Sequence, residues 1–166
     1  VATRFNARYG ETFVVPRAVN PPVAARIMDL ANPTAKMGKS GAADSGTLFL
    51  LDPPDVLRRK VMRAVTDTGS EVRYDPATKP GVSNLLEILA ACVGGSPQAL
   101  AGQFRGYGEL KAAVADAVID VVRPIQERYA ALEPAEVDAV LRDGAQRARE
   151  RAAATVRRAR QAIGLL

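Results

Sequence analysis

The 166-residue chain contains no histidine and a single cysteine. Those gaps exclude a disulfide framework, a His/Cys zinc centre and nucleophile–histidine catalysis by this chain alone. No apolar run approaches the roughly 20 residues that a membrane helix needs, and no secretory signal is recognisable. The expectation is therefore a cytoplasmic protein with no membrane partner. What is present suits a folded core: 48% of residues are hydrophobic and 25% charged. The length fits one domain, or one domain and part of another.

The net charge of +5 is concentrated. The last 25 residues hold seven arginines (Arg142, Arg147, Arg149, Arg151, Arg157, Arg158, Arg160) against Asp143 and Glu150, which accounts for all of it. In the rest of the chain 16 bases cancel 16 acids. A basic stripe on one element points to nucleic acid more directly than a diffuse excess does.

Phe5 and Tyr9, with Ala2 before them, recur at helical spacing, and Gly10 supplies a stop. Residues 12–15 read as a short strand closed by Pro16, and residues 47–51 as a strand or buried run. Asp52 is placed to cap a helix that has Pro53 at its first position and buries Leu57, Val61 and Val65. From Asn84 the chain reads as helical almost to its end, with Asn84 and Glu87 as a capping pair and Gly94-Gly95 as a stop. Ser96-Pro97 restarts a helix, which Gly106 and Gly108 break. Leu110, Val114, Val118, Val121, Ile125 and Tyr129 share a face of the next one, and Pro124 should kink or end it. The last helix runs from about Ala135 past Ala162, with Val137, Leu141, Ala145, Ala148, Ala152, Val156, Ala159 and Ile163 inward. Cys92, among Ala90, Ala91 and Val93, reads as core. The predicted fold class is mostly α, preceded by a small α/β part.

One segment looks chemical. Lys36-Met37-Gly38-Lys39-Ser40 places two ammonium groups three residues apart in a glycine-rich stretch, which suits a polyphosphate whose charge changes during reaction. A Walker A loop is rejected, because Pro33 stands where that pattern needs glycine. Taken alone, these five residues read first as a solvated, flexible loop whose lysines keep it soluble.

In its wider setting this segment resembles the second signature, Lys-Met-Ser-Lys-Ser, of class I aminoacyl-tRNA synthetases. The flanks resemble the bacterial tryptophanyl-tRNA synthetases: Arg4-Phe5-Asn6 with Tyr9-Gly10-Glu11, Ala25-Arg26-Ile27-Met28, and Pro33-Thr34. Leu50-Leu51-Asp52, Ala64-Val65-Thr66-Asp67, Arg73-Tyr74-Asp75 and Lys79-Pro80-Gly81 follow in family order. Val82-Ser83-Asn84-Leu85-Leu86, then Pro124 to Tyr129 and Gly164-Leu165, complete a match over essentially the whole chain.

The resemblance implies a C-terminal half. Residues 1–46 would be the end of a Rossmann-like catalytic domain with the lysine segment. Residues 47–134 would form a helical, anticodon-binding-like domain, and 135–166 a long Arg-rich helix. It implies a ligase that makes tryptophanyl-adenylate and pyrophosphate from tryptophan and ATP with Mg2+, then charges tRNA(Trp). The intact enzyme would be a homodimer, and the fragment inactive without its N-terminal half. Lys36 and Lys39 would be catalytic, gripping the triphosphate. Ile27, Met37, Gly38 and Ser40 would complete the ATP-binding set. Gly38 stands where the family usually has serine, and Ala24 where it usually has glycine, which would tighten the approach to ATP. Other readings are a stand-alone, non-catalytic RNA-binding or regulatory module derived from such an enzyme, and a tyrosine-specific relative. The C-terminal arginines would either contact tRNA phosphates or keep an amphipathic helix solvated.

Overall fold

A computed structural model describes residues 1–38 and 44–166. Its helices are α1 (Ala2–Tyr9), α2 (Pro54–Met62), α3 (Pro80–Val93), α4 (Pro97–Ala101), α5 (Tyr107–Ala130) and α6 (Pro134–Ala162), with a 3-10 turn at Asp44–Gly46. The chain divides into two compact units, one of Val1–Val19 with Ala131–Leu166 and the other of Asn20–Ala130. Among the described residues no helix is long and apolar enough to cross a membrane.

The protein is mostly helical, and the expected α/β part is absent among the described residues, where pairing amounts to one isolated bridge, Met28 with Lys36. Residues 12–15 form no strand because a side chain takes their backbone groups: Asn6 Oδ1 accepts from the Thr12 and Phe13 amides, and Asn6 Nδ2 donates to Phe13 O. Residues 47–51 curl instead of extending. Phe49 O accepts from the Asp52 amide, and Asp52 Oδ2 accepts from the Phe49 amide.

In the Asn20–Ala130 unit, α5 lies against both α2 and α3. Leu57 and Val61 of α2, Val82, Leu85, Leu86 and Leu89 of α3, and Leu110, Val114 and Val118 of α5 form the core, joined by Leu30 from the preceding loop. Each fully buried Leu or Val contributes about 1.5–3 kcal/mol of transfer free energy. Gly81 is required at the start of α3: a Cβ there would lie 2.1 Å from the carbonyl oxygen of Val65.

Several helix boundaries differ from expectation. Pro53 is the N-cap of α2, while Asp52 turns its carboxylate to the Phe49 amide and to Lys60. Val65 lies beyond α2 and is exposed. Helix α3 starts at Pro80, so Asn84 and Glu87 lie within it and cap nothing. Gly94 ends it with φ of 84°. Ser96 caps α4 as expected, its Oγ accepting from the Ala99 amide. Helix α4 already ends at Ala101, and Gly108 lies inside α5. That helix also runs through Pro124, where Gln126 Nε2 donates to the carbonyls of Leu50 and Asp52. Val121, Ile125 and Tyr129 on its last turns are exposed. Cys92 is half-buried against the core, and burial pushes its thiol pKa up.

In the other unit, Phe5 meets Tyr9 and Phe13 at ring distances of 5.0 and 4.8 Å. Helix α6 carries no buried residue, contrary to the inward face expected for it. Its small alanines bury little area even when covered, and Val137, Leu141, Val156 and Ile163 are all exposed. Half-burial at Thr155, Ala159 and Ala162 marks one stripe, beside the place where Arg158 Nη2 donates to Thr12 O.

Candidate functional site

The Ile27–Gly38 segment is a tight double-back built by short polar side chains. Asp29 Oδ1 accepts from the amides of Ala31 and Asn32, and Asn32 Oδ1 from the amide and hydroxyl of Thr34. The two arms then pair through Asp29 N–H to Ala35 O at 2.9 Å and Met37 N–H to Ile27 O at 3.0 Å. Ile27 and Met37 are thereby brought side by side, half-buried against the core, and Lys36 stands exposed across from Met28. Three of the expected ATP-site residues, Ile27, Lys36 and Met37, therefore share one local structure, with Gly38 at its end. Lys39 and Ser40 lie outside the described residues.

This double-back is fixed to the helical core at three places. Asn84, only 4% exposed, accepts from the Met28 amide and donates to the Met28 carbonyl, each at 2.8 Å. Leu30 N–H donates to Gly46 O, and Val65 N–H to Leu30 O. Gly46 also lets the buried Asp29 approach, since a Cβ there would sit 2.0 Å from Asp29 Oδ1.

Ahead of the double-back, Ala24 holds a left-handed φ of 55°. Its amide donates to Glu87 Oε2 at 2.6 Å, and Tyr74 donates its hydroxyl to Glu87 Oε1 at 2.7 Å. The bond to Glu87 and burial push the Tyr74 pKa up to about 12. Arg26, Met28, Tyr74, Asn84 and Glu87, together with Pro33, Pro76 and Pro80, line a cavity of about 200 Å³. A larger and mostly apolar cavity, about 680 Å³, opens beside the lysine segment between Met37, Gly38, Thr47, Leu48, Phe49 and Tyr129.

A second polar cluster lies farther along the same unit. Tyr107 donates its hydroxyl to Asp67 Oδ1 at 2.7 Å, and Lys79 Nζ reaches both. The Tyr107 bond, with the Gly69 amide and Lys79, holds the Asp67 pKa down to about 2 against the opposing effect of burial. Asp75 is likewise lowered, chiefly by the Thr78 hydroxyl and amide and then by Arg73.

Sequence reasoning missed Asn84 and Glu87 as anchors of this site, reading them as a cap. The available signal was their position: with Ser83 they are the three polar residues of the otherwise apolar run Val82–Ala90. Lys60 and Thr47 were missed as well, since nothing local distinguishes them.

Comparison with known proteins matches residues 1–123 to a family model described as tRNA synthetases class I (W and Y). A protein of Streptomyces avermitilis named tryptophan–tRNA ligase 1 is 60% identical over all of this chain and 51% of its own length. A crystal structure of tryptophanyl-tRNA synthetase from Mycoplasma pneumoniae superposes with a TM-score of 0.90 at 30% identity, over 99% of this chain and 52% of that one. The Campylobacter jejuni tryptophanyl-tRNA synthetase, solved with ADP and tryptophan, shares the fold at a TM-score of 0.62 and 24% identity, over 99% of this chain and 51% of that one. The chain spans about half the length of the curated relatives it matches.

Proposed function

Since the chain belongs to the class I tRNA synthetase family for tryptophan and tyrosine, we propose that it is part of a tryptophan–tRNA ligase. The observation that carries this reading is the 60% identity to the Streptomyces avermitilis tryptophan–tRNA ligase 1 across the full chain. The family model covers the tyrosine-specific alternative as well, but the relatives and structures compared above are all tryptophan enzymes by name.

In this reading the tryptophan carboxylate oxygen attacks the α-phosphorus of ATP, the α–β phosphoanhydride bond breaks, and pyrophosphate leaves. Tryptophan is then passed from the adenylate to tRNA(Trp). Lys36 and Lys39 grip the triphosphate and stabilise charge that builds on the departing pyrophosphate, an interaction strongest in the transition state. Ile27 lies against the adenosine end, with Met37, Gly38 and Ser40 completing the nucleotide contact. The exposure of Lys36 on a paired, anchored backbone supports this role. Among the described residues no three His, Cys, Asp or Glu side chains converge to hold a metal. Mg2+ would enter with the ATP phosphates as part of the substrate.

The proposed division is functional: residues 1–46 complete a Rossmann-like nucleotide domain, 47–134 face the anticodon as a helical bundle, and 135–166 form the Arg-rich helix. The exposure of all seven α6 arginines favours their contact with tRNA phosphates, an affinity that would fall steeply with salt. The intact enzyme is read as a cytoplasmic homodimer whose other half supplies most of the tryptophan pocket.

The test is tryptophan-dependent exchange of pyrophosphate into ATP by a chimaera in which this chain replaces the matching half of the Streptomyces avermitilis relative. Exchange that is lost on Lys36→Ala supports the reading. A folded chimaera without exchange, while the 166-residue chain binds RNA unaided, would establish the non-catalytic RNA-binding module instead.

A further inference from the structure

Lys60 projects from α2 into the core side of the unit and is only 6% exposed, in a helix whose other inward residues are Leu57 and Val61. Burying an ammonium costs several kcal/mol unless it is fully paired. Here each of its three protons has an acceptor: Asp52 Oδ2 at 2.8 Å, Thr47 O at 2.9 Å and Asp44 Oδ1 at 3.2 Å. The ring of Phe49 adds a fourth contact, 4.9 Å from Nζ. Burial alone would pull the lysine pKa down, but the two carboxylates outweigh it and hold it above the ordinary value.

All four partners lie in Asp44–Asp52, the segment that flanks the lysine segment on its C-terminal side. One member of it reaches back. Thr47 is buried, and its Oγ1 donates to Gly38 O at 3.0 Å. The backbone that carries Lys36 is therefore held on one side by Ile27–Asp29, which Asn84 anchors, and on the other by Thr47, which Lys60 anchors. A hydrophobic side chain at position 60 would fill the same space without tying these residues together.

We propose that Lys60 is a positioning residue for tryptophan activation: its ammonium gathers the Asp44–Asp52 segment and, through the Thr47 hydroxyl, fixes Gly38 and the backbone on which Lys36 stands. The proposal rests on the reading of Lys36 given above. Lys60 touches no substrate in it. Its effect is geometric, and small misplacements of a charge-bearing group are enough to slow a reaction severely.

Three variants test it: Lys60→Met removes the ammonium, Thr47→Val removes only the link to Gly38, and Thr47→Ser keeps that link. In the 166-residue chain, amide hydrogen exchange at Met37 should accelerate at least ~10-fold in Lys60→Met and Thr47→Val, as expected for local opening. It should stay at the wild-type rate in Thr47→Ser, and the Leu86 amide in α3 should be unaffected by either Thr47 change. In the chimaera, kcat for pyrophosphate exchange should fall about 10-fold in Thr47→Val with KM for tryptophan unchanged, a split that simple destabilisation does not produce. Unchanged Met37 exchange in Lys60→Met overturns the Lys60 anchor, and unchanged exchange in Thr47→Val overturns the link to Gly38. Faster Met37 exchange with wild-type kcat in Thr47→Val overturns the positioning role. If Lys60→Met also accelerates Leu86, Thr47→Val alone decides. An inactive wild-type chimaera would count against the parent reading, and the hydrogen-exchange comparison would still decide the anchor.

Discussion

Asn84→Asp exchanges one atom type at the point where the double-back meets α3, and its effect should depend on pH. The native amide accepts from Met28 N–H and donates to Met28 C=O, both at 2.8 Å and from a side chain that is nearly inaccessible. Asn84→Ala deletes both bonds and should cost about 2 kcal/mol, at ~1 kcal/mol net per bond. Asn84→Asp keeps the acceptor, but at neutral pH sets a carboxylate oxygen against the Met28 carbonyl and buries its charge. Glu87, one turn on and lining the same cavity, adds repulsion, and Tyr74 is already committed to Glu87; Arg26 is exposed and its attraction is screened by water. A rise of about 2 units in the folded-state pKa of the introduced carboxyl is a moderate value for such burial. A raised carboxyl pKa means the variant is relatively most stable below its unfolded value of ~3.9 and loses that stability as pH rises through the folded value. Relative to Asn84→Ala, the Asp variant should therefore be about 2 kcal/mol worse at pH 7 than at pH 4, since at ~1.4 kcal/mol per unit the full two units are expressed only well below the unfolded value. Urea unfolding followed by tyrosine fluorescence reads this, because three of the four tyrosines lie in the Asn20–Ala130 unit. A difference between the two variants that stays flat from pH 4 to 7 would refute the assigned bonding.

Gly81→Ala should destabilise by about 2 kcal/mol in the same assay: overpacking against the Val65 carbonyl costs ~3 kcal/mol, and helix propensity returns ~1. Ala24→Gly should stabilise by about 0.5–1 kcal/mol, because relief of the left-handed strain (~1–2) exceeds the entropy glycine adds to the unfolded chain (~0.4–1). Asp67 has a folded pKa lowered to about 2, so its contribution is full above the unfolded value and is lost as pH falls toward the folded one. The difference in stability between wild type and Asp67→Asn, flat near neutrality, should thus shrink between about pH 4 and pH 2. Gly38→Ser, which restores the residue usual in related enzymes, should raise the single-turnover rate of tryptophan activation in the chimaera; an unchanged rate would show that the hydroxyl has no part in it.

Sequence periodicity revealed the helices with broad buried faces, and also α1 and α6, which carry no buried residue. Leu110, Val114 and Val118 mark α5, and Leu57 with Val61 marks α2, because one stripe must leave water whichever neighbour covers it. The strand expected at 12–15, and the strand reading of 47–51, where Thr47 is buried and Leu48 and Phe49 half-buried, failed for a different reason. Apolar and β-branched residues signal an extended run only if its backbone finds a partner strand, and here Asn6 and Asp52 satisfy those amides locally. The inward face assigned to α6 failed because periodicity records what a helix could bury, not whether anything covers it.

The candidate site is drawn from residue types that the resemblance fixed, while the long-range geometry around it was obscure in the sequence. Ile27, Lys36 and Met37 were singled out from one short stretch, and the backbone indeed brings them together. What holds that stretch in place comes from residues up to 56 positions away, as between Met28 and Asn84. A mid-helix asparagine and a buried lysine were unexceptional in the sequence, since either could have faced water. Their meaning comes from the cost of burying them: an amide and an ammonium removed from solvent must find partners, and the partners both find are the two flanks of the lysine segment. Substitutions at Asn84 and Thr47 should therefore act on one property, the placement of Lys36, although the two side chains lie on opposite sides of it.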